Sequence, residues 1–357
     1  MNILYISSSI IPSTNANSVH VMKMCAALAK TGNVVRLVAI KGNDLEEDSF
    51  SYYGVEPIFE IIHTSYDIKE RTTQVLKSLE WADIVYTRWA WGAFLSSFVK
   101  KQKTVMEYHS VPHGLLARFL LKFNQNKCIV KNVYITQSLK NEYERKYTRK
   151  DGVVLPDGAD VLSESFYEKI DYEAPLKCCY IGSFLPGKGI ETVIKISQRI
   201  KNVEFYIIGG KQNEIDELKK QTTDNVKWFG YLSQNEIKCL SNDCQIGLLP
   251  NKTKVLVDGK KNIGPWTSPL KLFEYMAQKK AILASNIPVL TEVLENERNC
   301  LLIEAENINA WVEAIAKLEK DRTLLKKLSE CAYDDLVNKY SWDKRAEYIV
   351  DFLSTEI

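Results

Sequence analysis

The chain has no apolar run approaching the roughly 18–20 residues that a membrane-spanning helix needs. It has almost no surplus of one charge: 47 Lys+Arg stand against 45 Asp+Glu, a formal net charge of +2 over 357 residues. A dedicated nucleic-acid binder meets its phosphates with a strong basic surplus, so no nucleic-acid partner is expected. The eight cysteines are scattered, with no CxxC pair and no His at ligand spacing. Neither a zinc site nor a disulfide framework is expected, and the thiols read as free in a reducing cytosol. No DxD sequence occurs, and there are only four histidines, at 20, 63, 109 and 113. The start, MNILYISSSIIPST, lacks a basic leader and a small-residue cleavage site, and reads as a strand rather than a signal peptide.

What is present is 45% apolar residues in a length that suits two domains. Short β-rich runs alternate with helical stretches almost from end to end. NILYIS, VVRLVAI, PIFEII, DIVYTR, TVMEYH, CIVKNVYIT and GVVLP read as strands. After a polar stretch near ESFYEKIDYEAP the pattern restarts with KCCYIG, EFYIIGG, VKWFGY, QIGLLP, AILAS and CLLIE. Alternation of this kind implies parallel sheets covered on both faces, and the restart implies two doubly wound α/β domains. The hinge is expected between Pro156 and Pro175, with ligand at the carboxyl ends of strands facing a central cleft. The last stretch, YSWDKRAEYIVDFL, reads as a helix with Trp342, Ala346, Ile349 and Phe352 as its apolar stripe.

Two segments carry candidate chemistry. GSFLPGKG, Gly182 to Gly189, nearly spells a phosphate-binding P-loop, but Gly189 stands where a Ser or Thr should reach Mg²⁺. What survives is a glycine turn that lets backbone approach a ligand, with Lys188 at a helix start to neutralise phosphate; the other reading is an ordinary turn with a solvated Lys. TSPLKLFEYMA, Thr267 to Ala277, places Pro269 in a first helical turn with Thr267 and Ser268 as caps. That helix start would offer N–H groups and Lys271 to an anion, with Glu274 one turn on to accept from ribose hydroxyls. The other reading is a capped helix with a surface Lys–Glu pair. His109 ends a central strand facing the expected cleft, as a substrate contact or as a structural hydrogen-bonder.

TSPLKLFEYMA, followed by AILAS and NERNCLLIE, resembles the donor-binding region of retaining GT-B glycosyltransferases of family 4, in a subgroup with an SPxKxxE pattern. YIGSFLPGKGIETVI, IIGG, VKWFGYLSQNEI, LPDGAD and YSWDKRA follow that family's succession, and PSTNANSVHVMKMCAALAKTG, ADIVYTR and VMEYH extend the likeness into the N-terminal half. The resemblance implies a GT-B fold of two Rossmann-like domains. Residues 1–160 would take the acceptor, residues 161–340 the nucleotide-sugar, and the helix 341–357 would pack back on the first domain.

It also implies roles. Glu274 anchors the donor ribose; Lys188, with Ser268, Pro269, Leu270 and Lys271 at the helix start, holds the diphosphate; His109 lies by the transferred sugar. His109, Lys188 and Glu274 form the catalytic set. Tyr231 lies where the nucleobase goes, and Asn15, Asn17, His20 and Arg88 lie on the acceptor side, the first three on the first loop. Two positions depart from the family: Trp266 stands where its first glutamate would fall, and Ser183 where its arginine would fall. Sugar contacts would then come from Thr267 or the polar loop 251–262. The absence of DxD fits a reaction without metal or other cofactor, in which positive groups and a helix dipole face the diphosphate.

One stretch is electrostatically unusual. Residues 113–150 hold nine basic residues against Glu142 and Glu144, a surplus of +7 in a chain of +2. Leu115, Leu116, Phe119, Leu120 and Phe123 form an apolar stripe with Arg118 and Lys122 beside it. Such a helix reads either as membrane-surface binding or as a core-facing helix with a solvated basic side.

The expected function is transfer of a sugar from a UDP- or GDP-sugar to a glycan or polyprenyl-linked acceptor hydroxyl, with retention, in surface-polysaccharide or glycolipid synthesis. The expected location is the cytoplasm, at the inner face of the cell membrane. The alternatives are a GT-B nucleotide-sugar epimerase, for which four histidines leave little acid–base chemistry, and a two-lobed sugar-binding protein, which is usually exported.

Overall fold

A computed structural model describes residues 1–43, 48–111, 114–147, 152–168, 170–257 and 261–354. The chain forms two compact units, Met1–Asp157 with Trp342–Ile357, and Gly158–Ser341.

In the first unit β1 (Asn2–Ile11), β2 (Val34–Lys41), β3 (Glu60–Thr64), β4 (Ile84–Thr87), β5 (Thr104–Tyr108), β6 (Ile129–Tyr134) and β7 (Val153–Val154) make one sheet. Its order is β3-β2-β1-β4-β5-β6-β7, parallel throughout. Runs such as Ile3-Leu4-Tyr5-Ile6, fully buried, have no polar face because helices cover both sides of a parallel sheet. The order reverses direction between β1 and β4, so the loops after these strands diverge and leave a crevice where ligands bind in such sheets.

The helix Trp342–Ser354 returns to this unit and packs on the helix Ala16–Lys30. Trp342, Arg345, Ala346, Ile349 and Leu353 form its buried face. Leu353 thus takes the place expected for Phe352, which is half-buried, and an arginine lies within the stripe.

The second unit has β8 (Lys177–Ile181), β9 (Glu204–Ile208), β10 (Val226–Gly230), β11 (Ile246–Leu249), β14 (Ala281–Ser285) and β15 (Leu301–Ile303) in the order β10-β9-β8-β11-β14-β15, again all parallel. A small antiparallel pair, β12 (Leu256–Val257) with β13 (Lys261–Asn262), stands apart. The switch point here lies between β8 and β11. One apolar cluster, around Trp311, Phe205 and Val193, packs one face of the sheet, and a second, around Phe273, Tyr275 and Leu290, packs the other.

Candidate functional site

The second unit gathers most of the residues predicted to hold a donor around the carboxyl ends of β8 and β11. After β8, the turn Gly182–Gly189 leads into the helix Ile190–Arg199, with Gly189 at its cap. The glycines were expected to admit a ligand; they admit the chain itself. A Cβ on Gly189 (φ +88°) would lie 2.0 Å from Pro250 O, and one on Gly187 (φ +93°) would lie 1.9 Å from Lys254 O. Lys252 N–H donates to Gly187 O at 2.8 Å and Leu256 N–H to Pro186 O at 3.0 Å, so the segment after β11 clamps the turn. Lys188 is held in this clamp, half-buried, and no hydrogen bond or ion pair reaches its Nζ among the described residues. Burial pushes its pKa down. An ammonium group shielded from water without a counter-charge is stabilised by an arriving anion.

The same segment connects the turn to the second motif. Ile263 N–H donates to Val255 O at 2.9 Å, and Asn262 Oδ1 accepts from Val255 and Gly264 N–H. Asn262 is therefore spent on shaping the loop expected to meet a sugar; residues 258–260 of that loop lie outside the described residues. The helix Leu270–Ala277 starts one residue later than Pro269, which occupies the cap position. This corrects the expected Thr267 and Ser268 caps. The Thr267 hydroxyl turns back to donate to Ile263 O at 2.7 Å, because the preceding turn, Gly264–Trp266, offers it a carbonyl. The first N–H groups of a helix have no partner within the helix, which suits an anion.

Lys271 Nζ donates to Glu274 Oε2 at 2.5 Å, both largely shielded. Lys271 is thus answered by Glu274, whereas Lys188 has no such partner among the described residues. The helix is anchored from beneath: Tyr275 O–H accepts from Ile181 N–H at 3.0 Å, and a Cβ on Gly247 would meet the Tyr275 ring at 2.5 Å. That close approach ties Glu274 to the end of β8. The Ser183 carbonyl accepts from Tyr180 O–H at 2.9 Å, and Trp266 buries its indole N–H with no partner among the described residues. Tyr231 stands 58% exposed after the edge strand β10.

In the first unit, Asn15, Arg88 and His109 follow β1, β4 and β5. Asn17 and His20 are not on a loop: the helix starts at Ala16, with Ser18 and Val19 N–H donating to Asn15 O. His20 consequently turns inward, 1% exposed, with Nδ1 2.6 Å from Asp157 Oδ1 and Nε2 2.9 Å from Glu107 Oε1. It is a member of a buried network, not an acceptor-facing side chain. Arg88 donates to Asn17 O at 3.2 Å and holds Nε 3.8 Å from Glu107. Arg345 donates to Glu107 Oε2 and Pro156 O, and its Nη2 also reaches Leu155 O.

Tyr86 O–H donates to Glu107, and His109 Nε2 is in hydrogen-bond contact with Glu107 Oε1. Burial alone would raise the Glu107 pKa, but Arg345, His20 and His109 overcome it and hold the carboxyl well below its usual range. Burial, then Arg88, lowers His109 to about 4. Glu107, Arg345, Asp157 and Tyr86 lie within VMEYH, YSWDKRA, LPDGAD and ADIVYTR, but no role was expected of them. The available signal was a carboxylate in the middle of TVMEY, a strand expected to be covered on both faces, where an unpaired charge is costly.

His20, Glu107 and His109 bring one ligand atom each within 4.8 Å of one another, the arrangement among the described residues most suited to a metal. Arg345 and Arg88 beside the same carboxylate already supply its positive counter-charge, which opposes a divalent cation there.

The helix Leu115–Phe123 divides the expected apolar stripe. Leu120 and Leu121 are buried, while Leu115 (85% exposed), Leu116 (68%) and Phe119 (55%) face outward. Phe123 stacks edge-on to Phe98, whose neighbours Val99, Lys100 and Lys101 are also exposed, so a second element extends the patch. On the next helix, Gln137–Tyr147, the basic residues are answered locally: Lys140 by Glu144, and Arg145 and Lys146 by Glu142. The basic surplus therefore concentrates at 100–127, where Glu107 is the sole acid in Phe94–Lys127. His113, Arg149 and Lys150 of the expected stretch lie outside the described residues.

Residues 164–335, most of the second unit, match the family described as "Glycosyl transferases group 1". The chain is 24% identical over 286 residues to the uncharacterized glycosyltransferase MJ1178 of Methanocaldococcus jannaschii, covering 74% of this chain and 73% of that one. It is 22% identical over 310 residues to the O-antigen chain mannosyltransferase RfbU of Salmonella typhimurium, covering 79% and 81%. Anabaena HepE, solved in complex with UDP, superposes with a TM-score of 0.77 at 14% identity over 99% of this chain and 100% of that one. The two parallel-sheet halves are those of a GT-B glycosyltransferase fold.

Proposed function

We propose that the protein is a retaining family 4 glycosyltransferase that moves a sugar from a UDP- or GDP-sugar to a hydroxyl of a glycan or polyprenyl-linked acceptor. The observation that carries this reading is the ammonium of Lys188, clamped at the switch point after β8 with no acidic partner among the described residues, together with the helix start at Leu270 and the Lys271–Glu274 pair. In this reading Lys188 and the Leu270 helix start neutralise the charge that develops on the departing diphosphate. Glu274 accepts from the ribose hydroxyls, and Tyr231 offers a ring to the base. The first unit receives the acceptor, with Asn15, Asn17 and Arg88 on the rim of its crevice. The group 1 match in the second unit, the UDP complex of HepE and the O-antigen role of RfbU support a nucleotide-sugar donor and a surface-glycan product.

The expected result is that UDP or GDP, or one of their sugars, raises the unfolding temperature of the protein, by the linkage RT ln(1 + [L]/Kd). Transfer of the sugar that stabilises the protein should persist in EDTA. Binding without turnover on any acceptor would point to a receptor, an isomerised donor to an epimerase, and a strict metal requirement would sink the metal-free step.

The acceptor reading extends to a membrane. Leu115, Leu116, Phe119, Phe98 and Val99 form an apolar surface beside Lys100, Lys101, Arg118, Lys122 and Lys127, all exposed and with no exposed acid between them in the sequence. That combination complements an anionic lipid surface, and each cation near it contributes about 1 kcal/mol. Replacing Arg118, Lys122 and Lys127 together by Ser should weaken binding to phosphatidylglycerol vesicles by up to about 100-fold at low salt. Unchanged vesicle binding at low salt would mark the face as merely solvated.

A further inference from the structure

Glu107 is wholly buried, and its two oxygens have separate partners. Oε2 accepts from Tyr86 O–H and from Arg345 Nη2 at 3.0 Å. Oε1 faces His109 Nε2, with His20 Nε2 at 2.9 Å and Arg88 Nε at 3.8 Å. An ionised carboxylate only accepts, so the short contact requires a proton on His109 Nε2. A neutral imidazole protonated there carries its lone pair on Nδ1. That nitrogen makes no hydrogen bond among the described residues, and the His109 side chain is the most exposed of the rings in the network at 22%, against 2% for His20.

We propose that Glu107 is a positioning residue that holds His109 as its Nε2–H tautomer, so that Nδ1 accepts a hydrogen bond from a hydroxyl of the substrate. The hydroxyl rests on the glycosyl-transfer reading; the tautomer does not. Arg345 and Tyr86 fix the far side of the carboxylate, which leaves Oε1 no freedom to turn from His109. Burial and Arg88 keep His109 neutral above about pH 5, so the acceptor lone pair persists through the physiological range. A sugar hydroxyl is both donor and acceptor, and a site with the wrong nitrogen protonated would set donor against donor wherever that hydroxyl's own proton is fixed by orientation.

Glu107→Gln reverses the arrangement at nearly constant volume. Its one carbonyl oxygen is claimed by Arg345 and Tyr86, and its amide then faces His109 as a donor, which drives the imidazole proton to Nδ1. With histidine labelled in 15N, the wild type should show the Nε2–H pattern for His109, assigned by its disappearance in His109→Asn. In Glu107→Gln the pattern should switch to Nδ1–H, and kcat/KM should fall roughly ten- to hundred-fold, while the affinity for UDP or GDP alone stays unchanged. The wild-type spectrum tests the tautomer even if Glu107→Gln folds poorly. An Nδ1–H or doubly protonated His109 in the wild type at pH 7 overturns the proposal, and so does a tautomer switch with full activity retained. A wild type showing the Nε2–H pattern but transferring no sugar would count against the glycosyl-transfer reading and leave the positioning assignment standing.

Discussion

Glu274→Ala is expected to cost about 2–4 kcal/mol of transition-state stabilisation, roughly 30- to 1,000-fold in kcat/KM. The size separates the two readings of this residue. As half of a helix-surface pair with Lys271 at i,i+3, Glu274 contributes well under about 1 kcal/mol to stability, and its loss would pass almost unnoticed in both folding and turnover. As the acceptor for ribose hydroxyls, it binds the donor through charge-assisted hydrogen bonds in a shielded site, and its loss leaves those hydroxyls unpaired. The variant should therefore unfold within a degree or two of the wild type while turning over far more slowly. Lys271, released from its partner, would then be a second free cation near the diphosphate, which works against any compensating explanation by charge loss. Wild-type-like turnover with normal donor affinity would remove Glu274 from the site.

Arg345→Ala should show the opposite pattern, a large loss of stability in the first unit. Arg345 is 3% exposed and Glu107 wholly buried, so truncation strands an ionised carboxylate in the interior and unpairs the carbonyls of Leu155 and Pro156. Breaking a buried pair from one side costs about 3–5 kcal/mol, a drop on the order of 10 °C in the unfolding of a unit this size. Lys344→Ala, one residue away, removes an exposed pair with Glu347 and should cost under about 1 kcal/mol.

The pH dependence has a definite sign. The folded pKa of Glu107 is depressed, so its contribution is present above the unfolded carboxylate value and is lost as pH falls through the folded one. The gap between wild type and Arg345→Ala should accordingly be widest at neutral pH and narrow in acid, as the stranded carboxyl protonates. A gap under about 2 °C at pH 7 would mean that Arg345 does not hold a buried charge.

Lys188 and Glu274 could be singled out in the sequence as candidates because the motifs that carry them are local. A strand, a glycine turn and a helix start occupy consecutive residues in GSFLPGKG, and one helical turn links Lys271 to Glu274. The Glu107 network was not legible: Arg345 lies 238 residues from Glu107, and Asp157 lies 137 from His20. No spacing rule reaches that far. His20 was misplaced for the same reason, since only the packed sheet shows that the helix begins at Ala16 and turns the ring inward. The basic stretch was only partly legible. Its count was right, but the count cannot show that Glu142 and Glu144 answer the cations of one helix while those of its neighbour remain outward.

From the order of residues alone came the two doubly wound halves and their strands, since short-range periodicity and hydrophobic burial dictate these, along with candidates for a diphosphate site. Folding decided that Lys188 has no acidic partner among the described residues, which glycines serve the chain rather than a ligand, and which carboxylate His109 meets. Each of these depends on what a side chain meets across the packed interior, where water is excluded and every charge must find a partner far away in sequence.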